Sequence, residues 1–302
     1  MEFYEHSGRC GPVGVPITAV TGILAGAVFG LAYAYIINWI PLIYVSFLAT
    51  LGFGFVVGAA AAWGARIGKI RNMMVSTALG GLVGLLAVYF AWVFDPMARI
   101  EDVHEPFWRL DAIWAYMQLG YTVGFWGIGQ NGGPVTGPFL AAVWVIEAAM
   151  VLGTCIVTMR KWLGERPYCE ETGKWTTSEA NVGRLSLVDD QDAEAKIRRL
   201  LDGDVGSLAE FYRATDADPA LLQLDLATCP GCLACNFLTV KMVQTVLNKK
   251  GEASKQENKL LVNLRITPDE AAAVRTAGID RPPPVEEELA AGSNSGPATE
   301  DV

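Results

Sequence analysis

The chain has 302 residues, 52% of them hydrophobic, and a formal net charge of −9. From Met1 to Lys161 eight basic side chains balance eight acidic ones, whereas from Trp162 to Val302 fifteen stand against twenty-four, so the whole excess charge lies in the second half. An acidic tail excludes nucleic acid as the expected partner, because phosphates reward Lys and Arg; it favours solubility over adhesion to anionic lipid heads.

Residues 16–37, 41–65, 73–94 and 138–159 are apolar runs of at least 22 residues each, and the single formal charge within them is Glu147. A helix of about 20 apolar residues crosses the hydrocarbon core of a bilayer, so residues 1–161 read as a four-span transmembrane domain with the lipid bilayer as its first partner. No cleavable leader is expected: residues 1–15 lack Lys, and the first run exceeds the apolar core of a signal peptide. Gly22, Gly26 and Gly30 in the first span, Gly54 and Gly58 in the second, and Ser76, Gly80 and Gly84 in the third recur every four residues. Such spacing opens a groove for a neighbouring helix. The neighbour is expected to be another span of the chain, or a second copy packed through Gly22, Gly26 and Gly30.

Basic residues mark the ends of the spans. Arg66, Lys69 and Arg71 lie between the second and third, and Arg160, Lys161 and Arg166 follow the fourth; between the third and fourth the charges are mainly acidic. By the bias of Lys and Arg towards the cytoplasmic side, both termini are expected in the cytoplasm. The connection 95–137 is rich in aromatics, and residues 106–120 are expected to form a helix lying flat at the outer interface.

Residues 162–279 read as a small α+β domain in the cytoplasm. Two short helices are expected over 190–214, broken near Asp202-Gly203; a strand carries Leu221, Leu222, Leu224 and Leu226 and ends at Thr228. Strands follow at 237–247 and 259–266, joined by a polar loop around Gly251. A last helix is expected from Thr267, with Pro268 at its first position and Glu270 completing a capping box. From Asp280 onward, Pro-Pro-Pro, Glu-Glu-Glu and Gly/Ser give residues 280–302 the composition of a disordered acidic tail.

Four of the six cysteines, Cys169, Cys229, Cys232 and Cys235, fall in this region. In a cytosolic setting cysteines point to metal or reactive thiols rather than structural disulfides. Cys229-Pro-Gly-Cys232 between two strands is a zinc-knuckle turn, with Pro and Gly setting the bend. Cys169-Glu-Glu-Thr172-Gly173 has the outline of a second knuckle with Thr in place of its second Cys, and Cys235 offers the missing thiolate. Four sulfurs around one ion would close a tetrahedral zinc site. An iron–sulfur cluster, a redox pair and metal-free thiols stay open as alternatives.

Glu147 in the fourth span is costly to ionise in lipid and must be protonated, paired or wetted. As a neutral group it would bond a hydroxyl from Ser46, Thr50, Ser76, Thr77 or Tyr89; as a titrating group it would serve a small transporter or channel. No catalytic motif is evident along the chain.

Tyr44 through Gly58, the basic stretch Gly68-Lys69-Ile70-Arg71-Asn72, the Trp144–Glu147 pair, and Arg166-Pro-Tyr-Cys169-Glu with Gly173 and Trp175 resemble a loosely defined group of bacterial four-pass membrane proteins with a cytosolic zinc-ribbon-like tail. The resemblance implies the bacterial inner membrane and a zinc-ribbon-like fold for 162–279. It implies Cys at the position of Thr172, from which this chain departs, and it carries no activity. The expectation is therefore a non-enzymatic membrane protein whose cysteine-bound zinc holds a module that recognises a cytosolic protein or regulates one. A membrane redox protein using the tail cysteines is the third expectation.

Overall fold

A computed structural model describes residues 1–40, 43–127, 133–188, 190–232, 234–247 and 252–280. The polar loop expected around Gly251, apart from Glu252, and the tail beyond Asp280 lie outside the described residues. The chain forms two compact units: Tyr4–Thr177 with Cys229–Cys232, and Met1–Phe3 with Ser178–Thr228 and Leu233–Val302.

The first unit holds five helices, α1 (Gly14–Trp39), α2 (Ile43–Ile67), α3 (Met73–Arg99), α4 (Leu110–Val123) and α5 (Gly137–Gly164). Of these, α1, α2, α3 and α5 are long and apolar enough to cross a membrane. Their surfaces suit lipid: only 17% of the most apolar window of α5 is buried, and Val145, Ile146 and Val157 stand more than half exposed. In water such surface would be an aggregation site; in lipid it costs nothing.

The four spans pack in a ring, α1 against α2 and α3, and α5 against the same two. Small residues set the spacing. A Cβ on Gly22 would fall 2.6 Å from Val83 Cγ2, so the glycine stripe of α1 is occupied by α3 of the same chain. Gly58 brings α2 onto the backbone of Cys155, and Gly84 brings α3 onto that of Leu152. Because lipid offers no hydrophobic drive for helix association, this close backbone approach supplies the dispersion contacts that hold the ring.

α3 starts on an Asn72 cap that accepts from the amides of Met74 and Val75, satisfying two donors otherwise left open. It runs past its expected end at residue 94 to Arg99, carrying Asp95 and Pro96 inside the helix. Pro96 has no N–H to give to the carbonyl of Trp92, so the last turn lacks that backbone hydrogen bond. α4 forms close to the helix expected over 106–120, shifted a few residues towards the C-terminus; Ile113, Tyr116 and Gly120 are its buried side.

The second unit is strand-rich. Its sheet has the order β3 (Thr177–Ser186), β4 (Ala220–Thr228), β5 (Asn236–Leu247), β6 (Ala253–Ile266), with β4–β5 and β5–β6 antiparallel. Leu222, Leu224 and Leu226 alternate inward on β4, opposite Met242, Val240 and Leu238. The three leucines are 0%, 0% and 1% exposed, which shows a sheet with one apolar face. That face packs with Leu200 of α6 (Ala193–Leu201), Leu208 of a 3-10 turn (Val205–Glu210), Phe211, and Ala271 and Val274 of α7 (Pro268–Arg275). Thr267 and Glu270 complete the expected capping box: the Glu270 amide donates to Thr267 Oγ1 at 3.2 Å and the Thr267 amide to Glu270 Oε2 at 2.7 Å. β3 was not expected, and β6 starts six residues before its expected beginning. Their exposed ends are too polar to show a period-two pattern, and pairing with neighbouring strands decides them.

Candidate metal centre

In the first unit, the N-terminal segment, the α2–α3 link and the chain after α5 meet. The Gly11 amide donates to Lys69 O at 3.2 Å, and the Arg71 amide to Arg9 O at 2.8 Å. Beyond α5 the chain makes a small hairpin, β1 (Tyr168–Cys169) against β2 (Lys174–Trp175). Its turn is closed by the Gly173 amide donating to Cys169 O at 2.9 Å, with Gly173 at φ +66°. A left-handed residue there needs no Cβ. The hairpin is clamped on the link. Trp175 Nε1 donates to Arg66 O at 2.9 Å, Arg71 pairs with Glu170 at 3.2 Å, and the Arg71 guanidinium lies 4.4 Å over the Tyr168 ring.

This clamp fixes Cys169, which is fully buried. Cys229 and Cys232 flank a turn whose Gly231 adopts φ +120°, a conformation that Gly enters freely. The Sγ atoms of Cys169, Cys229 and Cys232 all lie within 4.8 Å of one another. Cys169 and Cys232, 63 residues apart, bring their sulfurs to 3.7 Å. With Zn–S bonds of about 2.3 Å, the edge of a regular sulfur tetrahedron is about 3.8 Å, so this edge fits the ion. Thr172 Oγ1 lies 3.0 Å from Cys229 Sγ, so the position read as an incomplete knuckle is at the cluster and contributes a hydroxyl. Burial pushes the Cys229 thiol up; the Thr172 bond works against this and the neighbouring Cys169 with it. A divalent ion would reverse that balance by holding the thiolates. Three cysteines therefore stand close enough to hold a metal ion, whose identity the donor set narrows to thiophilic metals. Cys235 is buried immediately before β5 and belongs to the strand-rich unit. Among the described residues all six cysteines are free.

Glu147 lies on α5. It makes no hydrogen bond or ion pair among the described residues, so none of the five hydroxyls expected to bond it does so. The reason is local: Thr50 donates to Ser46 O at 2.8 Å and Thr77 to Met73 O at 2.7 Å, each within its own helix. Tyr89 donates to Trp108 O at 2.6 Å, and Ser76 Oγ is buried without a partner.

A second polar cluster escaped the sequence reading. Asp95 accepts from Asn38 Nδ2 at 3.0 Å, from Arg99 Nε at 3.1 Å and Nη2 at 3.2 Å, and from the Tyr116 hydroxyl at 2.6 Å. The Asp-x3-Arg spacing was the available signal, hidden because both residues were assigned to the loop after the third span. Tyr116 has its hydroxyl pushed well up by burial first and then by the Asp95 charge, which keeps it a donor.

No family model, curated protein or solved structure matches the chain.

Proposed function

We propose that the chain is a non-enzymatic inner-membrane protein in which Cys169, Cys229 and Cys232 hold a structural zinc ion within a cytosolic interaction or regulatory module. The observation that carries the reading is the gathering of three thiol sulfurs within 4.8 Å from parts of the chain far apart in sequence. Zinc suits it because thiolates select soft and borderline ions, and zinc adds no redox demand. The ion would supply folding energy rather than chemistry: it binds the gathered thiolates of the folded chain and has no such site in the unfolded one. No His or carboxylate base is among the gathered ligands, which supports a structural rather than a catalytic role. The fourth position falls to oxygen, from water or the Thr172 hydroxyl, which lies against Cys229.

The test is elemental analysis of the full chain, purified in detergent and kept reduced. About one zinc per chain is expected, lost in C169S, C229S or C232S together with a fall in thermal stability. T172C, which offers a fourth thiolate, is expected to hold the metal at least tenfold more tightly against a chelator. Metal-free protein that is fully folded, iron with matching sulfide, or zinc unaffected by all three Cys→Ser replacements would overturn the proposal.

A further inference from the structure

Between α1, α2, α3 and α5 lies a cavity of about 730 Å³. That falls within the range of roughly 300–1,000 Å³ that accommodates drug-sized ligands. Aromatic side chains make much of its wall, among them Tyr33, Trp92, Phe125, Trp126, Phe139 and Trp144. Trp92 and Trp144 meet edge to face at 5.1 Å, and Phe125 lies 6.0 Å from Trp144. Three formal charges face the space: Asp95, Arg99 and Glu147.

Two of these three are already committed. Asp95 takes four hydrogen bonds from Asn38, Arg99 and Tyr116. Arg99 also donates to Phe125 O at 2.9 Å, with its guanidinium 4.6 Å over the Phe125 ring. An anion entering the cavity would meet a cation already paired with Asp95, and among the described residues the cavity holds no cluster of three His, Cys or carboxylate ligands for a metal ion. Of the three, only Glu147 makes no hydrogen bond or ion pair among the described residues. An ionised carboxylate in the membrane interior demands a counter-charge, and the surrounding rings favour a cation whose body is apolar.

We propose that this cavity is a binding site for a small organic cation, with Glu147 as the counter-ion and Trp92, Trp144 and Tyr33 as the walls against its apolar body. The site is independent of the cysteine cluster and gives the membrane helices a role beyond anchoring. A hydrophobic cation carries its charge at low desolvation cost and meets both the carboxylate and the ring faces. A neutral apolar molecule would leave Glu147 without an ion-pair partner, because Arg99 is already bonded to Asp95.

The experiment is calorimetric titration of the full chain in detergent with tetraphenylphosphonium, against its anionic counterpart of the same shape, tetraphenylborate, with empty micelles as the blank. Saturable phosphonium binding is expected, with borate at least tenfold weaker. E147Q is expected to lose at least tenfold in phosphonium affinity, E147D to retain most of it, and W144A to lose several-fold. Equal binding of the two ions would make the cavity a merely apolar space, such as one filled by lipid chains, and would overturn the proposal. So would unchanged affinity in a folded E147Q, or no saturable phosphonium binding at all. Should E147Q fail to fold by size exclusion, the phosphonium-to-borate comparison on the unaltered chain decides alone.

Discussion

Tyr4 and His6 sit in the N-terminal segment of the helical unit, the Tyr4 hydroxyl 3.0 Å from His6 Nδ1 and the rings edge to face at 4.9 Å. Burial lowers the His6 pKa below its ordinary 6.5; the Leu163 backbone opposes the shift and the Arg71 charge adds to it. A base whose folded pKa is depressed binds fewer protons folded than unfolded, so stability rises with pH across the interval between the two values. The contribution of His6 is thus complete above about pH 6.5 and is lost as the pH falls from there towards the folded value. Thermal unfolding in detergent is expected to show a lower Tm at about pH 5.5 than at about pH 7.5, and H6N should narrow that difference. An H6N variant with the same pH dependence as the unaltered chain would show that His6 is solvated in the folded protein. At the same scale, Glu147 was legible as a lone acid in an apolar run, but its lack of a hydroxyl partner was not. That depends on Thr50 and Thr77 turning back onto their own helices, a rotamer choice no spacing reveals.

Among the elements, α2 carries two glycines of opposite meaning. A Cβ on Gly58 would lie 2.9 Å from both Cys155 Cα and its carbonyl oxygen, while one on Gly52 would meet nothing within 4 Å. Replacing Gly by Ala in a helix gains up to about 1 kcal/mol of propensity where space is free. Where backbone blocks the methyl, overpacking costs about 1–3 kcal/mol. G52A is therefore expected to raise the Tm slightly and G58A to lower it by several degrees, both read by thermal unfolding in detergent. Similar shifts for both would show that α2 and α5 are not held at backbone contact. The four-residue glycine spacing made the close approach legible; which helix fills each groove was not, since α1 meets α3 through Gly22 although α2 follows it in sequence. Propensity likewise missed β3, whose Thr177–Ser186 stretch has a polar outer half and gains its pairing from β4.

For the molecule as a whole, what could be read was whatever depends on local composition: four apolar spans, the leucine alternation of β4, the Thr267–Glu270 cap. What could not be read depends on chain segments meeting, as in the approach of Cys169 to Cys232 or of Asn38 and Tyr116 to Asp95. Charge distribution belongs to the first kind and gains weight from the fold. The helical unit gathers Arg9, Arg66, Lys69 and Arg71 where the N-terminal segment, the α2–α3 link and the hairpin after α5 join. The acidic run Glu101, Asp102, Glu105 and Asp111 lies on the other connection, between α3 and α5. If each of the four long helices crosses once, the two ends face opposite sides of the bilayer, and the excess of Lys and Arg predicts the first on the cytoplasmic side. Cys10 is exposed at that basic end, beside Ile70, and serves as a native reporter. A membrane-impermeant maleimide applied to intact cells is expected to label an E105C variant in a C10S background, and to label Cys10 of the unaltered chain only after permeabilisation. Labelling of Cys10 in intact cells would reverse the orientation. It would also move the cysteine cluster, fastened to the same link through Trp175 and Arg71, out of the reducing compartment in which three thiols stay available to a metal.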